Sequence, residues 1–453
     1  MANLKSPPRN KLQSKLADFL TQVFATNTEP KLLLAYSGGL DSSVLLHMLV
    51  QLRTSIPFQL SAMYVHHGLS PNADAWAEHC RLSCQQYQVA FSLSRVQLER
   101  GLGIEAAARN ARYQALYSHA SDFICLAHHQ DDQAETLLLQ LARGSGVKGL
   151  SAMAENANKL LRPLLDVSRA SLLEYAQQYQ LQWIEDESNL DTRYDRNFMR
   201  LQVLPMLESQ YPAIKKTLSR SARHAAEASQ LLEELAQIDA QMAIVNSADS
   251  ALAKLDLTLL ASLSEARAKN LVRWWLTIQQ TSLPQLLMPS SEVLEQILGQ
   301  LLKTQADAKV KVKVGSEVYV QKYLDFAYLV TERAEIPPYN ILWQGESEIV
   351  ISDHVRLIFK QQLGAGLSLK KLEHVKLRIK NREGGERFKP VLGRPSRTIK
   401  RMLQEYNIPP WQRERLPLMF MDETLVAIPN LAVAANLKAA ADEMGLLVQC
   451  VMH

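Results

Sequence analysis

The residue types and spacings that point most directly to chemistry are those of a phosphate site. Ser37-Gly38-Gly39-Leu40-Asp41-Ser42-Ser43 follows the apolar run Leu32-Leu33-Leu34-Ala35-Tyr36 and leads into VLLHMLVQL. A buried strand passing through a glycine turn into a helix suits an anion. Glycines let the backbone approach without a Cβ collision, and the first N–H groups of a helix are unpaired donors. Ser37, Ser42 and Ser43 add hydroxyls, and Leu40 belongs to the same loop. Asp41 would be repelled by a triphosphate unless a divalent cation lay between them, so magnesium is implied. The commoner phosphate loop, G-x-x-x-x-G-K-[ST], is excluded because no Gly-Lys dipeptide occurs.

A second constellation is His128-His129-Gln130-Asp131-Asp132-Gln133-Ala134-Glu135. Asp131 and Glu135 are spaced i,i+4, which predicts two carboxylates on one helix face at the carboxyl edge of a parallel sheet, where ligands bind. N-terminal capping explains Asp131 and Asp132 equally well. Adjacent histidines at a strand end point to opposite faces, which disfavours a shared zinc at His128-His129, and the same holds at His66-His67. Glu105, Arg109 and Arg112 fit an exposed ion-paired helix. Arg193, Arg196 and Arg200 are spaced to line one helical face and suit phosphate. Gly144-Ser145-Gly146-Val147-Lys148-Gly149 matches a dinucleotide pattern but follows a helix rather than a strand, and reads as a turn.

These residues require an α/β scaffold. Candidate strands at Leu32 to Tyr36, Leu60 to His66, Ala90 to Val96 and Phe123 to His128 recur about every 30 residues, the length of one parallel crossover unit. From about Pro212 to Gln300 the text is rich in Ala, Leu, Glu and Gln at helical period. Alternating strand text resumes at KVKVKVGSEVYVQKYLDFAYLV and continues past Pro337-Pro338. The expected order is an α/β catalytic domain over 1–215, a mainly helical domain over 216–335, and a small mixed α+β domain over 336–453.

At 453 residues with 47% hydrophobic and 21% charged residues, disorder, collagen and coiled coil are excluded. Apolar runs fall short of a membrane span and the first residues lack a signal core, so the expected location is the cytoplasm. Cys80, Cys84, Cys125 and Cys450 are too few for a disulfide framework. The net charge is only +4, but Lys370 to Arg415 holds fourteen Lys/Arg against five Asp/Glu. Phe388, Tyr406 and Trp411 interrupt that run, a mixture that suits a polyanion with bases.

The glycine turn resembles the SGGxDS pyrophosphate loop of the ATP pyrophosphatase superfamily. MYVHHGLS, EAAARNARY, AHHQDDQAET, RGSGVKGL, DESNLDTRYDRNFMRLQVLP and, near the C-terminus, GGERFKPVLGRPSRTIKRMLQEYNIPPWQRERLPLMF follow in the order found in tRNA(Ile)-lysidine synthetases. That resemblance implies that ATP is cleaved to AMP and pyrophosphate. It further implies that free lysine is joined to C2 of the wobble cytidine of the isoleucine tRNA with a CAU anticodon, which then reads AUA. It places Asp131, Asp132 and Glu135 around lysine, Asp41 toward magnesium, and Arg112, Arg193 or Arg196 toward phosphate or developing charge. Lys389, Arg394, Arg397, Lys400 and Arg401 become the candidates for the tRNA backbone. A tRNA thiolase would need cluster cysteines, and no C-x-x-C occurs. A small-molecule amide synthetase would not need the basic C-terminal domain, and a noncatalytic RNA-binding protein would not need the loop and acids. The oligomeric state stays open, a homodimer included.

Overall fold

The computed structural model describes residues 10–97, 103–247, 250–303, 310–332, 336–373, 375–390 and 395–452. The chain divides into two compact units, Met1–Leu231 and Leu232–His453.

In the first unit the elements are α1 (Lys11–Val23), β1 (Lys31–Ala35), α2 (Leu40–Leu52), β2 (Gln59–His66), α3 (Ala73–Gln86), β3 (Ala90–Arg95), α4 (Ile104–Tyr117), β4 (Phe123–Cys125) and α5 (Gln130–Ala142). There follow a short α6 (Val147–Leu150), β5 (Asn156–Ala157), β6 (Leu160–Leu161), α7 (Arg169–Gln178), α8 (Asp195–Phe198), a π turn over Met199–Val203, and α9 (Leu204–Gln210). The sheet order is β3-β2-β1-β4-β6-β5, parallel throughout except for the final β5 hairpin strand. The four longer strands fall where the sequence places them. The β5–β6 pair escaped it, because two-residue strands carry no periodicity.

Burial on both faces explains why β1 reads as an uninterrupted apolar run: Leu32, Leu33 and Leu34 are wholly buried between helices. The order also fixes where a ligand can sit. After β1 the chain first adds β2 and β3 on one side, then crosses to place β4 on the other. The carboxyl ends of β1 and β4 therefore flank the point at which winding reverses, and a crevice opens there.

A long helix, α10 (Ile214–Ala243), leads onward. The second unit begins with the expected helical text, Leu257–Ser262, Glu265–Gln279 and Ser291–Lys303, packed around the buried Trp275. The same segment also forms a five-stranded antiparallel sheet. Two of its strands, Ile244–Ser247 and Ser250–Asp256, lie inside text that reads as helical. SALAKLD contains residues that favour helices, but alternation places Ala253 and Leu255 on the buried face, and packing overrides propensity. Beyond Pro338, sheets of five and four strands enclose separate cores around Leu357 and Ile379 and around Phe388 and Leu403. All four cysteines are free and buried, and none acts as a staple.

Candidate functional site

The glycine turn leaves β1 and enters α2 with Gly39 as N-cap. Gly38 sits at φ +79°, and a Cβ there would lie 2.6 Å from Ile184 Cδ1 and 2.9 Å from Cys80 Sγ. The Gly38 carbonyl accepts from the Ile184 amide at 2.8 Å and from the Ser43 hydroxyl at 3.2 Å. Ser42 donates to the Gly39 carbonyl at 3.0 Å and lies 3.1 Å from the Ser37 hydroxyl. The serines thus brace the turn as well as offering hydroxyls to it. Gly39 is different, because a Cβ there meets nothing closer than 3.6 Å. Gly38→Ala is therefore expected to destabilise the fold by roughly 2–4 kcal/mol through forced backbone and overpacking, and Gly39→Ala by less than about 1 kcal/mol. Denaturant titration of the two variants checks the contrast.

The acid cluster is built from α5. His129 is the N-cap and Asp132 stands at N3, where its Oδ2 accepts from the His129 amide at 2.9 Å. Capping is therefore present, and the remaining carboxylate oxygens serve something else. Arg196 Nε donates to Glu135 Oε2 and Arg196 Nη2 to Asp132 Oδ1, both at 2.8 Å. Arg200 donates from Nε to Glu135 Oε1 at 2.6 Å, and from Nη2 to Glu135 Oε2 at 3.0 Å and Asp132 Oδ1 at 3.2 Å. The paired carboxylates are thus Asp132 and Glu135, three residues apart, rather than Asp131 and Glu135 as the i,i+4 spacing suggested. Asp131 turns outward to the Lys215 ammonium at 3.1 Å and the Arg169 amide at 3.1 Å.

Arg196 and Arg200, four residues apart where α8 runs into the π turn, share one face and so reach the same pair of acids. Arg193 precedes α8, is 88% exposed, and bonds Asp191 instead, so the expected three-arginine face contributes two members to this cluster. Arg112, from α4, lies near Arg196 and keeps a buried Nε without a partner.

The two constellations meet at one imidazole. His129 Nε2 lies 3.4 Å from Asp41 Oδ2 and 3.5 Å from Asp132 Oδ2. Burial disfavours its cation, but the bond to Asp41 and the charge of Asp132 outweigh this and raise its pKa. Burial likewise opposes ionisation of Asp132, yet the charges of His129 and Arg196 pull its carboxyl down to about 2. Asp41 Oδ1 is buried with no partner, as a carboxylate oxygen reserved for a cation would be. No cluster of three or more His, Cys, Asp or Glu side chains is arranged for a metal among the described residues. Magnesium held by one carboxylate plus phosphate oxygens and water does not need one.

His129 and Arg200 were visible in the sequence but underused, the first weighed only as a zinc ligand and the second only as part of a periodicity. Lys215 left no signal, since nothing links it to Asp131 across the intervening chain.

In the C-terminal segment Lys389 and Lys400 are exposed, while Arg397 and Arg401 both bond Glu405, at 2.8 and 3.2 Å. Arg394 lies outside the described residues. Phe388 is a core residue and Trp411 packs edge-on against Tyr323 and Tyr328, so of the three interleaved aromatics Tyr406 is the exposed one.

A doubly wound sheet with a glycine turn and an acid–arginine cluster on either side of its switch point defines a nucleotide-using protein of the PP-loop class, and residues 8–207 match the family model described as the PP-loop domain. Residues 255–325 match the TilS substrate binding domain and residues 377–450 the TilS substrate C-terminal domain. The chain is 40% identical over 429 residues to tRNA(Ile)-lysidine synthase of Nitrosomonas europaea, covering 92% of this chain and 91% of that one. Against the protein of the same name from Coxiella burnetii it is 35% identical over 446 residues, 96% of each chain. It belongs to the tRNA(Ile)-lysidine synthase family. That makes it an ATP-dependent ligase, and the thiolase and amide synthetase readings are not supported. Among the described residues no helix is long and apolar enough to cross a membrane.

Proposed function

We propose that this chain joins free L-lysine to C2 of the wobble cytidine in the isoleucine tRNA with a CAU anticodon, consuming ATP and releasing AMP and pyrophosphate in the cytoplasm. The observation that carries the reading is the shared imidazole: with Asp41 and Asp132 both on His129, the glycine turn and the acid–arginine cluster form one site. The chemistry has two displacements. The cytidine C2 oxygen attacks the α-phosphorus and pyrophosphate leaves; the lysine ε-amine then attacks C2, and the oxygen departs with AMP while the amine sheds a proton. Activation comes first because the C2 oxygen is a poor leaving group until it carries the phosphoryl group.

In this reading Ser37, Gly38, Gly39, Leu40, Ser42 and Ser43 form the phosphate cradle, and Asp41 offers its unpartnered oxygen to Mg2+, which would offset triphosphate charge when bound. Asp132 and Glu135 face the lysine, with Asp131, held by Lys215, at the edge of the same pocket, and Arg112 and Arg196 face phosphate or charge that develops during transfer; Arg193 would do so from the rim. The guanidiniums on Asp132 and Glu135 have a further consequence. Lysine attacks only as the free amine, whose ordinary pKa is ~10.4, and bare carboxylates would hold it as ammonium. Acids already neutralised by Arg196 and Arg200 orient the nucleophile without stabilising its unreactive form.

The test is AMP release by the purified chain with ATP and lysine, with and without unmodified isoleucine tRNA; no acceleration by tRNA would refute the reading. Gly39→Ala, nearly neutral for the fold, is expected to raise the KM for ATP by about tenfold, since it fills space the phosphate must enter.

Lys389, Arg394, Arg397, Lys400 and Arg401 are proposed to contact the tRNA backbone, giving affinity and register without reading sequence. Removing residues 370–415 outright would take Ile379, Phe388, Ile399 and Leu403 from two cores, so charge removal is the sounder probe. The triple variant Lys389→Gln, Lys400→Gln, Arg401→Gln is expected to weaken tRNA binding and reduce the slope of log K against log salt by about 2. An unchanged slope in filter binding would remove this surface from the interface.

A further inference from the structure

His128 follows β4 and Arg162 follows β6, and the parallel pairing of Cys125 with Leu161 brings both to the same sheet edge. Arg162 is buried and held at its backbone by the Glu155 carbonyl and at its Nη1 by the Ala154 carbonyl, both at 2.8 Å. From that fixed position its Nε donates to His128 Nδ1 at 3.3 Å. A guanidinium has no lone pair to offer and does not deprotonate in a protein, so Nδ1 must be the bare nitrogen and the ring proton must reside on Nε2.

We propose that His128 is a fixed neutral hydrogen-bond donor, through Nε2–H, to an oxygen of the α-phosphate being transferred, and that Arg162 is the positioning residue that sets its tautomer. This rests on the adenylate-transfer reading above. A phosphate oxygen is the fitting acceptor because the charges that act most on the imidazole are mostly cationic: Arg112 from α4, Arg196 from α8 and Arg162 beyond β6, opposed by Asp132 from α5. Arg112 Nε is buried beside them with no hydrogen-bond partner, a further group able to meet an anion, and Arg112 lies over the Tyr113 ring. Burial first, and then the neighbouring guanidiniums against Asp132, push His128 down to about 3, so it stays neutral under working conditions. With Nδ1 occupied and Nε2 protonated, His128 is not the base that frees the lysine amine. Its role is the one a neutral imidazole fills when it polarises an oxygen without transferring a proton.

The experiment is 15N NMR of the full chain labelled at histidine, with the His128 resonances assigned by their loss in His128→Gln, alongside kinetics of AMP release. The expected spectrum has a bare Nδ1 and a protonated Nε2 that do not move between about pH 5 and 8. Arg162→Met should let that ring exchange tautomers while burial and the remaining guanidiniums keep it neutral, and Arg162→Lys, which keeps a donor, should restore part of the wild-type signature. His128→Ala should lower kcat about a hundredfold with a smaller change in the KM for ATP, and His128→Gln, which retains an N–H donor, should stay within about tenfold of wild type. A protonated Nδ1, a His128 that titrates in the wild-type chain, or a glutamine variant as slow as alanine would each overturn the proposal. Failure of the wild-type chain to release AMP with tRNA would instead refute the reaction, leaving the tautomer readout untouched.

Discussion

Replacing Asp41 by asparagine is expected to lower tRNA-dependent AMP release by about a thousandfold or more, with tRNA affinity and thermal stability nearly unchanged. The size follows from what the carboxylate can do that the amide cannot. Its buried Oδ1 has no protein partner, so its desolvation goes uncompensated unless a cation arrives. A divalent ion that neutralises triphosphate charge contributes several kcal/mol to the transition state, and three factors of ten correspond to about 4 kcal/mol. The fold should tolerate the change because, among the described residues, no arginine or lysine is ion-paired to Asp41, and its neighbours His129 and Arg200 both keep Asp132. Retained AMP release in Asp41→Asn, measured at saturating ATP, would show that the residue is not where phosphate charge is neutralised. Lost tRNA binding in a filter assay would show that it belongs to the RNA contact surface instead.

How far such a site can be read from sequence depends on how local its determinants are. The glycine turn was legible because strand, glycines, acid and helix all lie within a dozen residues, and the same short range makes Asp131 and Asp132 recognisable as N-terminal capping acids. The helix start decided which acids pair, and sequence places helix starts poorly. Putting α5 at Gln130 aligns Asp132 with Glu135 on the two arginines and leaves Asp131 for Lys215. The arginine face was misjudged for a related reason. Even spacing assumes one continuous helix; Arg196 and Arg200 do share a face, whereas Arg193 lies before the helix and bonds Asp191 instead. Arg162 on His128 was beyond reach altogether, since that bond depends on which strand lies beside β4. In the middle segment, strands Ile244–Ser247 and Ser250–Asp256 were hidden because their residues favour helix and only the apolar face of the sheet selects the extended form.

Glu135→Gln is expected to damage both stability and catalysis, and the reason lies in charge bookkeeping at α5. Glu135 is completely buried and accepts from the Nε atoms of both Arg196 and Arg200. Neutralising it leaves two guanidiniums to share Asp132, and breaking one side of a buried ion pair costs about 3–5 kcal/mol because the remaining charge is stranded. For a unit of this size that is a fall of about 10 °C in the first unit's melting transition. Removing one stranded cation should recover part of the loss, so Glu135→Gln with Arg200→Gln should be less unstable than the two single variants summed. The pH dependence has a definite sign. The Asp132 carboxyl sits at about 2 against an ordinary 3.8, so its contribution, about 2 kcal/mol, is present above pH ~5 and drains away as pH falls through ~4 toward 2. Turnover should fall by at least about a hundredfold in Glu135→Gln even at temperatures where it is folded, because the amine nucleophile loses the acid that orients it. Full additivity in the double variant, measured by calorimetry, would mean that the arginines do not act on the acids as one unit, and the account of how lysine is kept reactive would fall with it.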